Sequence, residues 1–236
     1  NQADALRLYP DPDATALKQA IANQQKVELD QVFVGNGSDE VLAHIFKAFF
    51  IQKQPLLYPD ITYSFYPVDS QFFAIQTKEI PLNENFEIDV SDYQQENGGI
   101  IITNPNAPTS IALGLQQIEQ ILQANPDRVI VIDEAYVDFG AESAAQLVNQ
   151  YENLVVCQTT SKSRSLAGLR VGFAIAQSHL IAALEAVKNS FNSYPMDRFA
   201  IAAAVASFED QVYFEAQCAK VIESREKLVS DLTALG

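Results

Sequence analysis

The sequence predicts an α/β protein of three layers, α/β/α, with a mostly parallel seven-stranded sheet at the centre. Short apolar runs rich in β-branched residues alternate with longer amphipathic stretches, the pattern of strands and helices in turn. Those runs are nearly continuous in hydrophobicity rather than alternating, as expected of strands covered on both faces. A chain of 236 residues can bury a sizeable core, and no repeat, low-complexity tract or Gly/Ser linker divides it.

In chain order, strands are predicted at residues 32–35 (VFVG), 56–58 (LLY), 72–76 (FFAIQ), 100–103 (IIIT), 129–133 (VIVID), 154–157 (LVVC) and 171–176 (VGFAIA). Helical periodicity is found at about 14–24, 38–51, 64–70, 115–124, 143–150 and 178–189. After Pro195 a long helical pattern covers 197–235, read as two helices or one bent one.

Composition narrows the function. A formal charge of −15 argues against nucleic acid or an anionic membrane surface as the main partner, because both repel a net anion. Cys157 and Cys218 lie far apart in apolar patterns without metal-ligand spacing, so buried free thiols are expected rather than a disulfide. With only His44 and His179, zinc and Ser-His-Asp chemistry are poorly supplied. No window is long and apolar enough for a membrane helix, no signal peptide is seen, and a cytoplasmic setting is the expectation. The chain starts at Asn1 rather than Met and stops at 232–236 (LTALG), the ends expected of a piece of a longer protein.

Polar loops after the predicted strands carry the chemistry, since ligands of such sheets bind where strands end. In residues 35–40 (GNGSDE), glycines allow close backbone approach. The amides of Ser38, Asp39 and Glu40 open a helix, whose amino end suits a phosphate. The plain alternative is a helix capped by Ser38 or Asp39. Neither a P-loop lysine nor the third glycine of a dinucleotide fingerprint is present. Residues 58–67 (YPDITYSFYP) offer Tyr63 either for stacking on a planar ring or for the core. Residues 103–110 (TNPNAPTS) form a proline-stiffened loop, a plain turn or a positioning device.

The run 129–139 (VIVIDEAYVDF) ends a buried strand in Asp133 and Glu134, with Tyr136 beyond. A carboxylate there is costly unless it meets a cation or metal, and a cationic ligand is a fair partner for Asp133. Finally, 159–172 (TTSKSRSLAGLRVG) sets Thr159, Ser161, Lys162 and Arg170 together. Hydroxyls and a guanidinium suit a phosphate, and a lysine beside them can form a Schiff base. A solvated loop lysine is the alternative. Taken together, a phosphate cradle, an aromatic side chain, a carboxylate, a tyrosine and a lysine are the groups that hold pyridoxal phosphate.

The ordered set GNGSDE, YPDITYSFYP, NPNAPT, DEAYVDF and TSKSRSLAGLRVG resembles the fold-type I pyridoxal-phosphate aminotransferases, and within them the histidinol-phosphate aminotransferase group. The resemblance runs over essentially the whole chain and implies the large cofactor-binding domain of that fold. It implies Lys162 as the lysine that bonds the cofactor and then moves a proton, and Asp133 as the partner of the pyridine nitrogen. Tyr136 is implied on the ring's 3-oxygen and Tyr63 on its face. Ser38, Asp39 and Glu40, with Thr159, Ser161 and Arg170, are implied around the phosphate. Tyr9 matches a tyrosine that in the family reaches the neighbouring subunit's cofactor, which implies a homodimer with shared sites.

The chain departs from the family at Ala107, where asparagine is usual, leaving Asn106 or Asn104 to contact the ring, and at Ser110 in place of glycine. The resemblance also implies an amino-terminal lid before Asn1. A smaller carboxyl-terminal domain, toward which 197–236 leads, is implied after Gly236. The activity implied is transfer of an amino group between L-histidinol phosphate and 2-oxoglutarate, in histidine biosynthesis. A related aminotransferase for aromatic amino acids, a threonine-phosphate decarboxylase and a non-enzymatic cofactor-fold module are the alternatives.

Overall fold

The structure, a computed structural model, describes residues 2–235; Asn1 and Gly236 lie outside the described residues. One seven-stranded sheet runs in the order β1-β7-β6-β5-β4-β2-β3. The strands are β1 (Val32–Asn36), β2 (Leu56–Pro59), β3 (Thr77–Ile80), β4 (Gly99–Thr103), β5 (Ile130–Asp133), β6 (Leu154–Thr159) and β7 (Val171–Ala176). Only β7 runs against its neighbours, antiparallel to both β1 and β6. The carboxyl ends of β1, β4, β5 and β6 therefore share one edge with the start of β7.

Burial on both faces explains the unbroken apolar runs. Along β4, Ile100 and Ile102 join one core cluster while Ile101 joins the other, and Leu154 and Val156 of β6 oppose Val155 and Cys157 in the same way. Helices α1 (Thr15–Gln25), α4 (Leu115–Ala124) and α6 (Arg198–Glu209) cover the first face. Helices α2 (Ser38–Phe49), α3 (Phe65–Phe72) and α5 (Ser178–Phe191) cover the second. The pattern at 197–235 resolves into α6 and α7 (Gln211–Leu235), broken at Asp210, with Asp197 capping α6 by accepting from the Phe199 and Ala200 amides.

Two predicted elements are corrected. Residues 72–76 are not a strand: Phe72 ends α3, Ala74 takes a left-handed φ of 54°, and the third strand begins at Thr77. That strand is an edge strand of which only Ile80 is buried, so it lacks the apolar run that marks its neighbours. Residues 143–150 do not form an α-helix; a 3-10 turn spans Ala144–Leu147. Its entry is held by the buried Glu134 carboxylate, which accepts from the Ser143 hydroxyl and the Ala144 amide, both at 2.6 Å.

Candidate active site

One end of the site is built from β1, β7 and α2. Gly37 precedes α2 with φ 88°, a conformation glycine adopts without strain. A Cβ on Gly172 would collide with the Ser38 amide nitrogen, and one on Gly37 with the Arg170 guanidinium. The backbone of the turn is thus pressed against the start of β7, and the first amides of α2 have no carbonyl within the helix to bond. Arg170, itself left-handed at φ 51°, reaches Asp39 Oδ2 at 3.1 Å, and Tyr63 donates to the same carboxylate at 3.2 Å. Burial first, then the Asp39 charge, pushes the Tyr63 phenol up to about 12. Glu40 turns its carboxylate back to the Asn36 amide at 2.6 Å, so it contributes an amide rather than a side chain to this end.

Asp133 ends β5, in register with Thr103 of β4 and Cys157 of β6. It is almost wholly buried and without an ion-pair partner among the described residues. Its Oδ2 accepts from the Tyr66 hydroxyl at 2.8 Å. Burial raises its pKa to about 6, against the lowering by Tyr66, the Ala135 amide and Lys162. A buried carboxylate in this state gains most from a cation brought to its other oxygen. Glu134, its neighbour, has no such need: Ser143, Ala144 and Gln158 all donate to it.

Lys162 follows β6 in an exposed loop, its Nζ 5.1 Å from the centre of the Tyr136 ring. Among the described residues it has no carboxylate partner. The loop around it is fixed. Ser163 donates to Asp138, and Arg164 lies between the rings of Phe208 and Phe214, 4.0 and 3.9 Å from their centres. Arg164 also donates to the Ser207 carbonyl at 2.7 Å and to Gln24 at 2.8 Å. Thr159 donates to Ser161 and to the Val171 carbonyl, which ties the loop to β7.

Lys162, Tyr136, Asp133, Tyr63, Asp39, Ser38, Thr159, Ser161 and Arg170 thus converge on one sheet edge. The asparagines do not extend into it. Asn106 accepts from Thr62 and donates to the Ile61 carbonyl and Thr109, while Asn104 exchanges two hydrogen bonds with Leu113. Both amides stiffen the loop from within. Tyr9 stands apart, 78% exposed and stacked on Tyr194 with ring centres 4.6 Å apart; Arg198 donates to its carbonyl. Sequence reasoning missed Tyr66, whose link to Asp133 spans 67 positions, and Arg164, which reads as one more loop cation.

Among the described residues no cluster of His, Cys, Asp or Glu could hold a metal, and no helix is long and apolar enough to cross a membrane. The fold and site define a class: an α/β domain whose sheet edge brings together a helix amino end, a buried carboxylate and a lysine that has no ion pair among the described residues. The whole chain, residues 1–236, matches aminotransferase class I and II, and it belongs to that family.

A histidinol-phosphate aminotransferase of Acinetobacter baumannii is 85% identical over 235 residues; the match covers all of this chain and 65% of that protein. The chain therefore spans about two thirds of that relative's length. Among solved structures, the histidinol-phosphate aminotransferase of Clostridium acetobutylicum superposes with a TM-score of 0.90 at 24% identity, over 100% of this chain and 71% of that one. That of Sinorhizobium meliloti, solved with pyridoxal-5'-phosphate, gives 0.85 at 22% identity over 96% and 63%. At those identities the structures speak for the fold.

Proposed function

We propose that the chain is the cofactor-binding large domain of a histidinol-phosphate aminotransferase, holding pyridoxal phosphate and exchanging an amino group between L-histidinol phosphate and 2-oxoglutarate. The observation that carries the cofactor is the pairing of needs: a buried carboxylate short of a cation, an anion cradle short of an anion, and a lysine without an acid. The 85% identity to the Acinetobacter protein supports the substrate.

When bound, the cofactor supplies an aldehyde carbon for the amino group and a ring that accepts electrons. Everything else is the work of side chains. Ser38 and Asp39 amides, with Ser161, Thr159 and Arg170, would hold the phosphate and so orient the ring. Glu40 keeps the cradle's turn in shape. Asp133 would pair with the ring nitrogen and favour its protonated form. Tyr63 would lie against the ring, and Tyr136 would donate to its 3-oxygen. Lys162 would be the residue that holds the aldehyde carbon, and its side-chain amine would serve as the base that moves the substrate's Cα proton. Asn106 supports this arrangement by holding its loop.

The assembly proposed is a homodimer in which exposed Tyr9 serves the neighbouring site. Burial of both free thiols, Cys157 and Cys218, suits a reducing cytoplasm, and the charge of −15 disfavours nucleic acid. In α7 Phe214 and Cys218 are buried and the other described residues are half-buried or exposed, which suits a helix leading to a smaller domain.

The test is spectroscopic. With pyridoxal phosphate added, the full-length protein develops a visible absorbance that borohydride abolishes, and Lys162→Ala lacks it. A protein that stays colourless sinks the cofactor assignment; a coloured one inactive on histidinol phosphate sinks the substrate.

A further inference from the structure

A chain of hydroxyls runs from the site's rigid loop to Asp133. Asn106 Oδ1 lies 2.9 Å from Thr62 Oγ1, which lies 3.2 Å from Thr103 Oγ1. Thr103 Oγ1 is 2.7 Å from the Tyr66 hydroxyl, and that hydroxyl is 2.8 Å from Asp133 Oδ2. Thr103, Tyr66, Asn106 and Asp133 are buried. The amide at the far end cannot turn over. Asn106 Nδ2 donates to the Ile61 carbonyl at 2.9 Å, and a flipped amide would set two carbonyl oxygens against each other.

The far end of the chain is therefore fixed as an acceptor. Thr62, Thr103 and Tyr66 bring one proton each to four contacts. An ionised Asp133 is a second pure acceptor and leaves one contact without a proton. A protonated Asp133 supplies the fourth, and every contact is satisfied in one direction, from Asp133 through Tyr66, Thr103 and Thr62 to Asn106.

We propose that Thr103 and Thr62, acting through Tyr66, are positioning residues that favour a proton on Asp133 in the cofactor-free protein, a proton released to the ring nitrogen when the cofactor binds. In the release the Asp133 O–H bond breaks and a ring N–H bond forms. Tyr66 then turns its proton to Asp133, Thr103 turns its own to Tyr66, and the longest contact, Thr62 to Thr103, is the one left empty. The count thus favours the neutral carboxyl in the cofactor-free protein and the charged one once a cation faces it. The raised pKa of Asp133, near 6 with burial as its first cause, agrees with the count. The other groups that bear on it are Tyr63, Asp39 of α2, Cys157 of β6 and Lys162, of which Lys162 favours the charged form.

The ring-nitrogen half rests on the function proposed above; the proton count does not. Carbon-13 NMR of the full-length protein, cofactor-free and carrying aspartate labelled at the side-chain carboxyl, reads the titration. Asp133→Asn identifies the resonance. Tyr66→Phe removes the donor to the charged form and raises the midpoint by about one pH unit. Thr103→Val and, independently, Thr62→Val leave two protons for two contacts, satisfy the ionised form and lower it. These opposite directions are what a packing defect does not produce. Midpoints unmoved or raised in both valine variants overturn the proposal. Absence of cofactor binding by absorbance overturns the function proposed above while leaving this titration readable.

Discussion

Lys162 sits between Ser163, tied to Asp138, and Thr159, tied to Val171, while among the described residues its own ammonium has no acid partner. The base proposed at Lys162 needs this division, a stiff backbone carrying a mobile side chain. The opposite holds for Arg170, whose guanidinium is already paired with Asp39 before any ligand arrives. Both partners of that pair are about half exposed, so the pair contributes little to stability and its worth lies in orienting the arginine. Arg170→Ala is expected to weaken pyridoxal phosphate binding by about tenfold, the loss of one charge-assisted contact at a wet site, with thermal stability little changed. Equilibrium titration by absorbance checks it; unaltered affinity removes Arg170 from the phosphate site.

At the scale of elements, the junction of β1, β7 and α2 is the least forgiving part of the site. Gly172 of β7 has the Ser38 backbone against the position a Cβ would take, with Ser38 Cα at 2.6 Å. Gly172→Ala forces the strand and the helix start apart. The expected result is a loss of about 1–3 kcal/mol in denaturant unfolding, together with weakened phosphate binding because the displaced amide is a proposed phosphate ligand. A variant of normal stability and affinity contradicts the close packing.

The glycines of 35–40 and the apolar run into Asp133 made this junction and the carboxylate legible in sequence, because each is a local pattern. The third strand was not legible, since an edge strand with one buried side chain has no apolar signature and the neighbouring FFAI does. The turn at Ala144–Leu147 was misjudged for a tertiary reason, the reach of Glu134 into its first amide. Tyr66 was hidden for the same reason. Its sequence neighbours mark an aromatic cluster, and only the fold brings its hydroxyl to Asp133 and Thr103.

For the whole molecule, buried acids set the dependence of stability on pH. Burial raises Asp133 and Asp69 to about 6 and Glu134 to about 7, from ordinary values of 3.8, 3.8 and 4.5. A carboxyl whose folded pKa lies above its unfolded one binds more protons in the native state between the two values. Stability then falls as pH rises through that window and levels off above it. His44 acts the other way, since burial lowers its pKa from 6.5 and the unfolded state takes up the proton. It is one group against three. Glu185, held low by Lys18 and Lys188 despite its burial, lends stability that is lost only in more acidic solution.

The excess of acids, 30 against 15 lysines and arginines, adds self-repulsion in the same direction as the three buried carboxyls. The cofactor-free protein is therefore expected to melt at a higher temperature near pH 5 than near pH 8. Cofactor should narrow the difference, because a cation at Asp133 removes that residue from the set. Calorimetry across this range, with and without pyridoxal phosphate, measures both effects. Melting temperatures that rise from pH 5 to pH 8 without cofactor contradict the direction assigned to the three carboxyls. A difference left unchanged by the cofactor separates Asp133 from the ring nitrogen.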